Sequence, residues 1–197
     1  MNLAGLTARM PALLKTRAAA LAAIAILQIG ILGSMVAGRV RLLQTGREIV
    51  LPIQPVDPRD LFKGDYVRLG YTISSVPFQA LAGNEPRYGK PAYVTIEPQA
   101  DGNWSVARLT ARYPDQVPTG HIVLKARHER WADWSHWPSR VRYGLERYYV
   151  PEGKGPGIEK LARDKKLAAI VAVDARGNAA IKGLSIDGQR VYDEPLF

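Results

Sequence analysis

The chain has no cysteine among its 197 residues, so disulfide bonds and thiolate metal sites are excluded. Histidine is scarce as well, with residues at positions 121, 128 and 136 only. His121 and His128 are seven residues apart, a spacing that would put them on opposite faces of a continuous strand and is not a chelating one. We therefore expect the histidines to be solvated or satisfied in the core, and the sequence predicts no metal site and no cofactor.

Acidic residues are few relative to basic ones: 27 Lys and Arg face 18 Asp and Glu, a formal net charge of +9. Arg9, Lys15 and Arg17 lie in the first 37 residues without any acid, which leaves a formal +6 on the remainder. A basic surface beside a membrane attracts anionic lipid headgroups or other polyanions. No nucleic acid partner is expected, because the basic residues are mixed with acids and no helix-turn-helix, zinc-finger or RNP pattern accompanies them.

Charge is absent altogether from residues 18–37, an apolar run that would span about 30 Å as an α-helix. The run exceeds the hydrophobic region of an ordinary signal peptide, and Met35-Val36-Ala37 is a mediocre cleavage site. We therefore predict an uncleaved, single-pass anchor in the lipid bilayer. Gly30 and Ser34 have the small-xxx-small spacing that permits helix-mediated self-association, although small residues are also common in membrane helices generally.

The orientation of this anchor does not follow from charge, because basic residues are balanced on its two sides. Long domains translocate despite their charge, so we choose the N-terminus inside and the domain outside. The predicted organisation is a cytoplasmic basic N-terminus at 1–17, a transmembrane anchor at 18–37, a linker at 38–48 and an extracytoplasmic β-rich domain at 49–197. This corresponds to a single-pass membrane protein whose C-terminal domain is extracytoplasmic.

Alternating apolar and polar positions dominate the sequence after the anchor. Val67, Leu69, Tyr71 and Ile73 share one face of a strand, and turn formers such as Asp101-Gly102-Asn103 separate further strands. The remaining expectations are a proline-containing edge strand or strand start at 49–56, a loop at 74–90, a strand at 141–150, a helix at 157–165 and a meander with strands at 167–173, 179–186 and 190–192. The predicted fold is mainly β: one N-terminal transmembrane helix followed by an antiparallel β-sandwich or partly closed barrel with one short helix.

The most specific stretch is Gly64-Asp65-Tyr66-Val67-Arg68-Leu69-Gly70-Tyr71, which follows a lead-in at 55–63. Asp57 and Asp60 suit a turn around Pro58, Gly64 can supply a positive φ and Asp65 can cap the turn before the strand. This interpretation makes the stretch a capped turn that leads into a strand. An alternative interpretation makes Asp57, Asp60 and Asp65 an acidic ligand cluster for Ca²⁺ or a cationic substrate, but their spacing lacks the alternation of an EF-hand loop.

The same stretch resembles the Gly-Asp-Tyr-x-x-Leu-x-Tyr signature of the GDYXXLXY protein family. A second block, residues 143–155, is similar to the later motif of that family, and the tail around 181–188 also fits. The resemblance implies a bacterial inner-membrane protein with an N-terminal anchor, a periplasmic C-terminal domain and no assigned activity. Such proteins are often accompanied by or fused to a multi-spanning membrane protein. It supplies no catalytic residue, and the catalytic residues stay unknown.

The two family blocks suggest a shared recognition surface if they meet in space. Asp65, Tyr66 and Tyr71 would then lie near Arg147, Tyr149 and Glu152. The candidate binding residues are Asp57, Arg59, Asp60, Gly64, Asp65, Tyr66, Leu69, Tyr71, Tyr143, Arg147, Tyr149 and Glu152.

Two other patterns have competing interpretations. Trp131, Trp134 and Trp137 have a spacing of three, which suits either a stacking platform or a loop folded over the core. A signal-peptidase-like enzyme also puts a β-domain after a membrane helix, but no matching serine and lysine pair is present.

The expected function is an accessory or assembly protein for a multi-spanning membrane protein. The alternative is an envelope enzyme or ligand-binding module that acts on a cell-wall or cationic substrate.

Overall fold

The computed structural model describes residues 12–54, 66–81, 86–129, 139–149, 158, 161, 164 and 166–193. The chain divides into two compact units, Met1–Val40 and Arg41–Phe197. The predicted capped turn at 55–65, the tryptophans at 131–137 and His136 lie outside the described residues. Of the predicted helix at 157–165, Ile158 and Leu161 are described and both are helical.

One long helix, α1, covers Ala12–Thr45. The stretch Ala19–Thr45 is long and apolar enough to cross a membrane. From Leu21 to Val36 its large side chains are exposed, which is a pattern that fits a membrane-spanning helix. The helix continues beyond the apolar run predicted to end at Ala37, through much of the segment predicted as a linker.

The helix ends where Gly46 donates its backbone N–H to the carbonyl of Leu42 at 2.9 Å. Arg47 already belongs to the first strand, and Leu43 is buried in the second unit. A Cβ on Gly46 would lie 2.5 Å from the Leu42 carbonyl oxygen and 3.0 Å from Cβ of Ala172. Glycine therefore allows the close approach of helix end and sheet at this point.

Twelve strands are present in the described part of the second unit. They are β1 (Arg47–Gln54), β2 (Tyr66–Arg68), β3 (Gly70–Tyr71), β4 (Ser75–Val76), β5 (Pro91–Pro98), β6 (Trp104–Thr110), β7 (Ile122–Glu129), β8 (Ser139–Arg142), β9 (Arg147–Tyr149), β10 (Leu167–Val173), β11 (Ala179–Ile186) and β12 (Gln189–Asp193). One sheet has the order β12-β11-β10-β1-β3, a second has the order β4-β8-β7-β5-β6, and β2 and β9 form a separate two-stranded ribbon. Neighbouring strands pair antiparallel throughout these sheets.

The two five-stranded sheets share one apolar core. Leu51 on β1 and Val171 on β10 belong to the same buried cluster as Val94 on β5 and Leu124 on β7. Alternate residues of β1, β5, β7 and β10 supply this cluster, as the two-residue period requires. The described strands form no closed barrel, and the arrangement is a β-sandwich-like fold. The predicted mainly β fold behind an N-terminal apolar helix is thus confirmed.

Three local predictions were wrong. The strand β1 is not at an edge, because residues 47–52 pair with β10 on one side and residues 53–54 pair with β3 on the other. Pro52, which lacks an N–H, is the last residue paired with β10, so the exchange of partners accommodates it. The segment 74–90 is not loop throughout, since Ser75–Val76 pairs with β8.

The predicted strand at 141–150 is interrupted. Its residues divide between β8 in the second sheet and β9 in the ribbon, with Gly144 between them at φ +80°. A positive φ breaks the extended backbone and is accessible to glycine at little cost.

Candidate functional site

The two family blocks meet in the ribbon of β2 and β9. Tyr66 pairs with Tyr149, Val67 with Tyr148 and Arg68 with Arg147. One residue further, the backbone N–H of Leu69 donates to the carbonyl of Glu146 at 3.0 Å. Segments about eighty residues apart in the sequence thus form one continuous unit, as the hypothesis of a shared surface requires.

Two buried tyrosines form reciprocal hydrogen bonds across the junction where the two blocks meet. The hydroxyl of Tyr71 donates to the carbonyl of Leu145 at 2.9 Å, and the hydroxyl of Tyr143 donates to the carbonyl of Ile73 at 2.6 Å. Tyr71 is 3% exposed and Tyr143 is 8% exposed, so both hydroxyls are removed from solvent. We call these four residues, Tyr71, Ile73, Tyr143 and Leu145, the tyrosine clasp. Each block satisfies a buried carbonyl of the other, which ties the first sheet to the segment between β8 and β9.

The carboxylate of Glu146 forms the turn beside the clasp. Its Oε1 accepts the backbone N–H of Tyr143 at 2.6 Å, and its Oε2 accepts the backbone N–H of Gly144 at 2.9 Å. Burial, with the negative charge of Glu146 as a second cause, raises the pKa of both Tyr71 and Tyr143 above the ordinary range of tyrosine. The two hydroxyls therefore remain protonated donors at neutral pH, which suits a structural role.

The outer side of the ribbon carries the exposed members of the blocks. Arg68 and Arg147 are exposed and directly opposite each other, and Tyr149 is 74% exposed. We call Arg68, Arg147 and Tyr149 the ribbon face. The ribbon face thus presents two guanidinium groups and one aromatic ring at the surface.

A cavity of about 370 Å³ lies on another side of the first block. Residues 51–54 of β1 and 71–73 line it together with Asp101, Asn103 and the half-buried Trp104. The backbone N–H and the side-chain amide of Asn103 both donate to the Asp101 carboxylate, and these hydrogen bonds lower the pKa of Asp101. A carboxylate beside an indole ring is the chemistry that receives a cationic group or a sugar.

The predicted site residues are distributed unevenly over this geometry. Leu69, Tyr71 and Tyr143 are buried at the junction, whereas Arg147 and Tyr149 lie on the exposed ribbon face. Tyr66 takes part through its backbone pairing with Tyr149. The others, Asp57, Arg59, Asp60, Gly64, Asp65 and Glu152, lie outside the described residues, so the acidic-cluster interpretation stays untested. Within the described ranges, no group of three or more His, Asp or Glu side chains is arranged to hold a metal ion.

Glu146 and the carbonyl acceptors of the clasp were not predicted. Gly144 marks a turn in the sequence, but no local signal shows that the Glu146 carboxylate closes it. The acceptors Ile73 and Leu145 carry no such signal, because any residue offers a carbonyl. His128 proved to be satisfied, with Nδ1 2.8 Å from the Pro86 carbonyl and Nε2 2.6 Å from Oγ of Ser139.

Fold and site define a class: an N-terminal apolar helix followed by a β-sandwich-like domain in which two separated tyrosine-bearing blocks are joined. The model of the family described as GDYXXLXY protein matches residues 28–184, and the chain belongs to this family. The matched range contains both blocks of the clasp and most of the two sheets. Neither the curated proteins nor the solved structures contain a match.

Proposed function

We propose that this protein is a single-pass anchor protein of the bacterial inner membrane that acts as an accessory or assembly subunit of a multi-spanning membrane protein. The observation that carries the proposal is the exposed apolar helix Ala19–Thr45, which is long enough to cross a bilayer. The location of the β-domain outside the cytoplasm is also part of the proposal. The folded unit from Arg41 onward is then held at the membrane, where a membrane protein is its accessible partner.

The use of the family residues supports an accessory role over a catalytic one. The hydroxyls of Tyr71 and Tyr143 donate to backbone carbonyls, and the carboxylate of Glu146 accepts from backbone N–H groups. A general base or a nucleophile needs a free position next to the reacting atom. These side chains instead hold the shape of the junction, and within the described part of the two blocks the ribbon face is exposed to a partner.

Site-specific crosslinking tests the proposal in native membranes. A photoreactive phenylalanine analogue replaces Tyr149 on the ribbon face, and the control carries it at Val191, an exposed residue of β12. We expect a discrete crosslink from position 149 to a multi-spanning membrane protein and none to that protein from position 191. Equal crosslinking from both positions, or none from either position in native membranes, would contradict the proposed surface.

The cavity at Trp104 favours a second candidate function, a ligand-binding module for a cationic envelope component. Asp101 supplies the charge and Trp104 the ring face. Titration of the full chain in neutral detergent with a polyamine, followed by tryptophan fluorescence, tests this candidate. Saturable quenching that Asp101→Asn weakens about threefold would support it, since an exposed carboxylate contributes only modestly to an ion pair. Unchanged binding in the Asp101→Asn variant would exclude the cavity as the site.

A further inference from the structure

A second cavity, of about 550 Å³, lies at the opposite end of strand β5 from the β5–β6 turn. The loop before β5 contributes Arg87 and Lys90, β5 itself contributes Tyr93, and the segment after β6 contributes Arg112 and Tyr113. We call these five residues the basic cavity. None of them belongs to the family blocks, to the ribbon face or to the cavity at Trp104.

Positive charge dominates the lining of the basic cavity. Among the described residues that line it, three are cationic and none is acidic. The ion pairs that the structure contains within the described ranges involve other cations, such as Arg142 with Glu129 and Lys182 with Glu48. The charges of Arg87, Lys90 and Arg112 therefore lack an internal carboxylate in that part of the chain, and they create a positive potential inside a concave site.

Neighbouring positions on the same sheet extend this charge. Lys125 pairs with Tyr93, and Arg127 pairs with Pro91, in the register of β5 and β7. Residues directly opposite each other in antiparallel strands share a face of the sheet, and both of these cations are exposed. An approaching anion thus meets positive charge before it reaches the cavity.

Backbone and side-chain hydrogen bonds fix the loop that carries Arg87 and Lys90. The N–H of Gly89 donates to the carbonyl of His128 at 2.9 Å, and the N–H of His128 donates to the carbonyl of Lys90 at 3.1 Å. Because a carbonyl only accepts, Nδ1 of His128 donates to Pro86 and its Nε2 accepts from Ser139. The loop is held at three points, so a ligand would meet a preformed arrangement of cations.

The aromatic side of the cavity is ordered as well. The rings of Tyr93 and Tyr113 meet edge to face, with centroids 5.6 Å apart and planes at 77°. The hydroxyl of Thr110 donates to the carbonyl of Arg112 at 2.7 Å and fixes the segment that follows β6. One wall is therefore apolar and rigid, while the rim is cationic.

We propose that the basic cavity binds a phosphate-bearing ligand whose organic part lies against Tyr93 and Tyr113. Three cations that surround one space match a phosphate group, which offers several acceptor oxygens at once, better than a single carboxylate, which one arginine can satisfy. Two sources share this chemistry: the headgroup of an anionic phospholipid and a free phosphate ester. The proposal does not depend on the identity of a membrane-protein partner.

Calorimetric titration of the full chain in an uncharged detergent separates the two sources. One arm uses glycerol phosphate, and the other uses short-chain phosphatidylglycerol in mixed micelles. Saturable binding in the first arm identifies a free phosphate ester as the ligand, and binding confined to the second identifies the lipid headgroup as the ligand. Absence of saturable binding in both arms overturns the proposal.

Matched variants place the binding in the cavity. Arg112→Gln, and Arg87→Gln combined with Lys90→Gln, should each weaken the affinity about tenfold or more, the usual effect of losing a charged hydrogen bond. Arg176→Gln removes the same charge in the exposed β10–β11 turn and should change the affinity less than about twofold. Tyr113→Leu should weaken binding of the organic phosphate more than binding of inorganic phosphate. Equal losses in the control and the cavity variants would refute the assignment.

Lysine modification of the unaltered chain tests the site without substitutions, so the result does not depend on whether a variant folds. A water-soluble acetylating reagent modifies exposed lysines, and saturating ligand should slow the modification of Lys90 severalfold. Lys166, which pairs with Asp187 and does not line the cavity, serves as the internal reference and should react at the same rate throughout. Equal reactivity of Lys90 with and without bound ligand would exclude this cavity as the binding site.

Discussion

Tyr71 and Tyr143 donate their hydroxyl hydrogens across one junction in opposite directions, the first to Leu145 and the second to Ile73. Each tyrosine thus depends on the other block for its acceptor, although the two are far apart in the sequence. The family signature places tyrosine at position 71, where a phenolic hydroxyl reaches a carbonyl that phenylalanine would leave unsatisfied. The clasp gives the signature a physical reason that does not require catalysis.

Removal of either clasp hydroxyl should destabilise the domain. Tyr71→Phe and Tyr143→Phe each keep the buried ring but leave a buried carbonyl without its donor, which costs about 1–3 kcal/mol in the free energy of unfolding. Urea denaturation of the full chain in neutral detergent, followed by tryptophan fluorescence, measures the change. Tyr88→Phe is the control, since Tyr88 is 67% exposed and its loss should change stability by less than about 0.5 kcal/mol. A clasp variant as stable as this control would show that the hydrogen bond contributes nothing.

The two Phe variants should also be coupled. Both hydrogen bonds close the same junction, so the double variant should lose less or more than the sum of the single losses by at least about 0.5 kcal/mol. The comparison uses the same denaturation measurement. Strict additivity would mean that the two tyrosines act independently and that the clasp is not one unit.

Stability should fall on the alkaline side because of the same two residues. The folded-state pKa of each tyrosine is raised, so below the unfolded value of about 10 both states are protonated and the full stabilisation is present. Above that pH the unfolded tyrosines ionise first, and each buried tyrosine removes about 1.4 kcal/mol of stability per pH unit. Denaturation midpoints between neutral pH and the alkaline range, with tyrosinate absorbance, measure the slope. The slope should become shallower in Tyr71→Phe, and an unchanged slope would assign the alkaline effect to other groups.

The turn between β10 and β11 is held against β7 at Gly177. The backbone N–H of Lys125 donates to the Gly177 carbonyl at 2.7 Å, and a Cβ on Gly177 would lie 3.1 Å from that nitrogen. Gly177→Ala therefore adds crowding to the cost of a positive φ, and we expect a loss of about 2–4 kcal/mol in the free energy of unfolding.

Gly188 offers a matched control for this substitution. It has nearly the same φ, +81° against +82°, but nothing lies within 4 Å of its added Cβ. Gly188→Ala should therefore cost only the backbone strain of about 1–2 kcal/mol. Thermal or urea unfolding of both variants in neutral detergent gives the difference. Equal losses of stability in the two variants would show that the close approach of Gly177 to β7 does not contribute to the cost of Gly177→Ala.

Local patterns in the sequence predicted the faces of the strands but not their partners. The two-residue period correctly placed Val67, Leu69, Tyr71 and Ile73 in the core. The single strand that it predicted is divided, however, because Leu69 falls between β2 and β3 and Ile73 lies in the 3₁₀ turn Thr72–Ser74. The pairing of β2 with β9 depends on closure of a long loop, and no local signal encodes it. The same reason explains the wrong edge assignment of β1, because its partners β3 and β10 both lie further along the sequence and neither is marked by a signal within β1.

The candidate site was predictable to a similar degree. The two blocks were recognisable as sequence motifs, and their meeting was a reasonable hypothesis. The roles within them were not, because burial decides which tyrosines form the clasp and which stay exposed. Tyr143 and Tyr149 lie in the same block, yet the first is buried and the second is exposed. Gly144 reverses the chain between them, and its effect depends on the carboxylate of Glu146.

Cysteine labelling in intact cells tests the central claim, an anchored protein with its β-domain outside the cytoplasm, most directly. The natural chain has no cysteine, so Arg176→Cys in the exposed β10–β11 turn and Asn2→Cys at the N-terminus each create a unique target. The cells need a permeabilised outer membrane, and the reagent is a maleimide that does not cross the inner membrane. The account predicts labelling at position 176 before lysis, labelling at position 2 only after lysis, and retention of both variants in alkali-washed membranes. Labelling in the reverse order, or release of the chain by the alkaline wash, would contradict it.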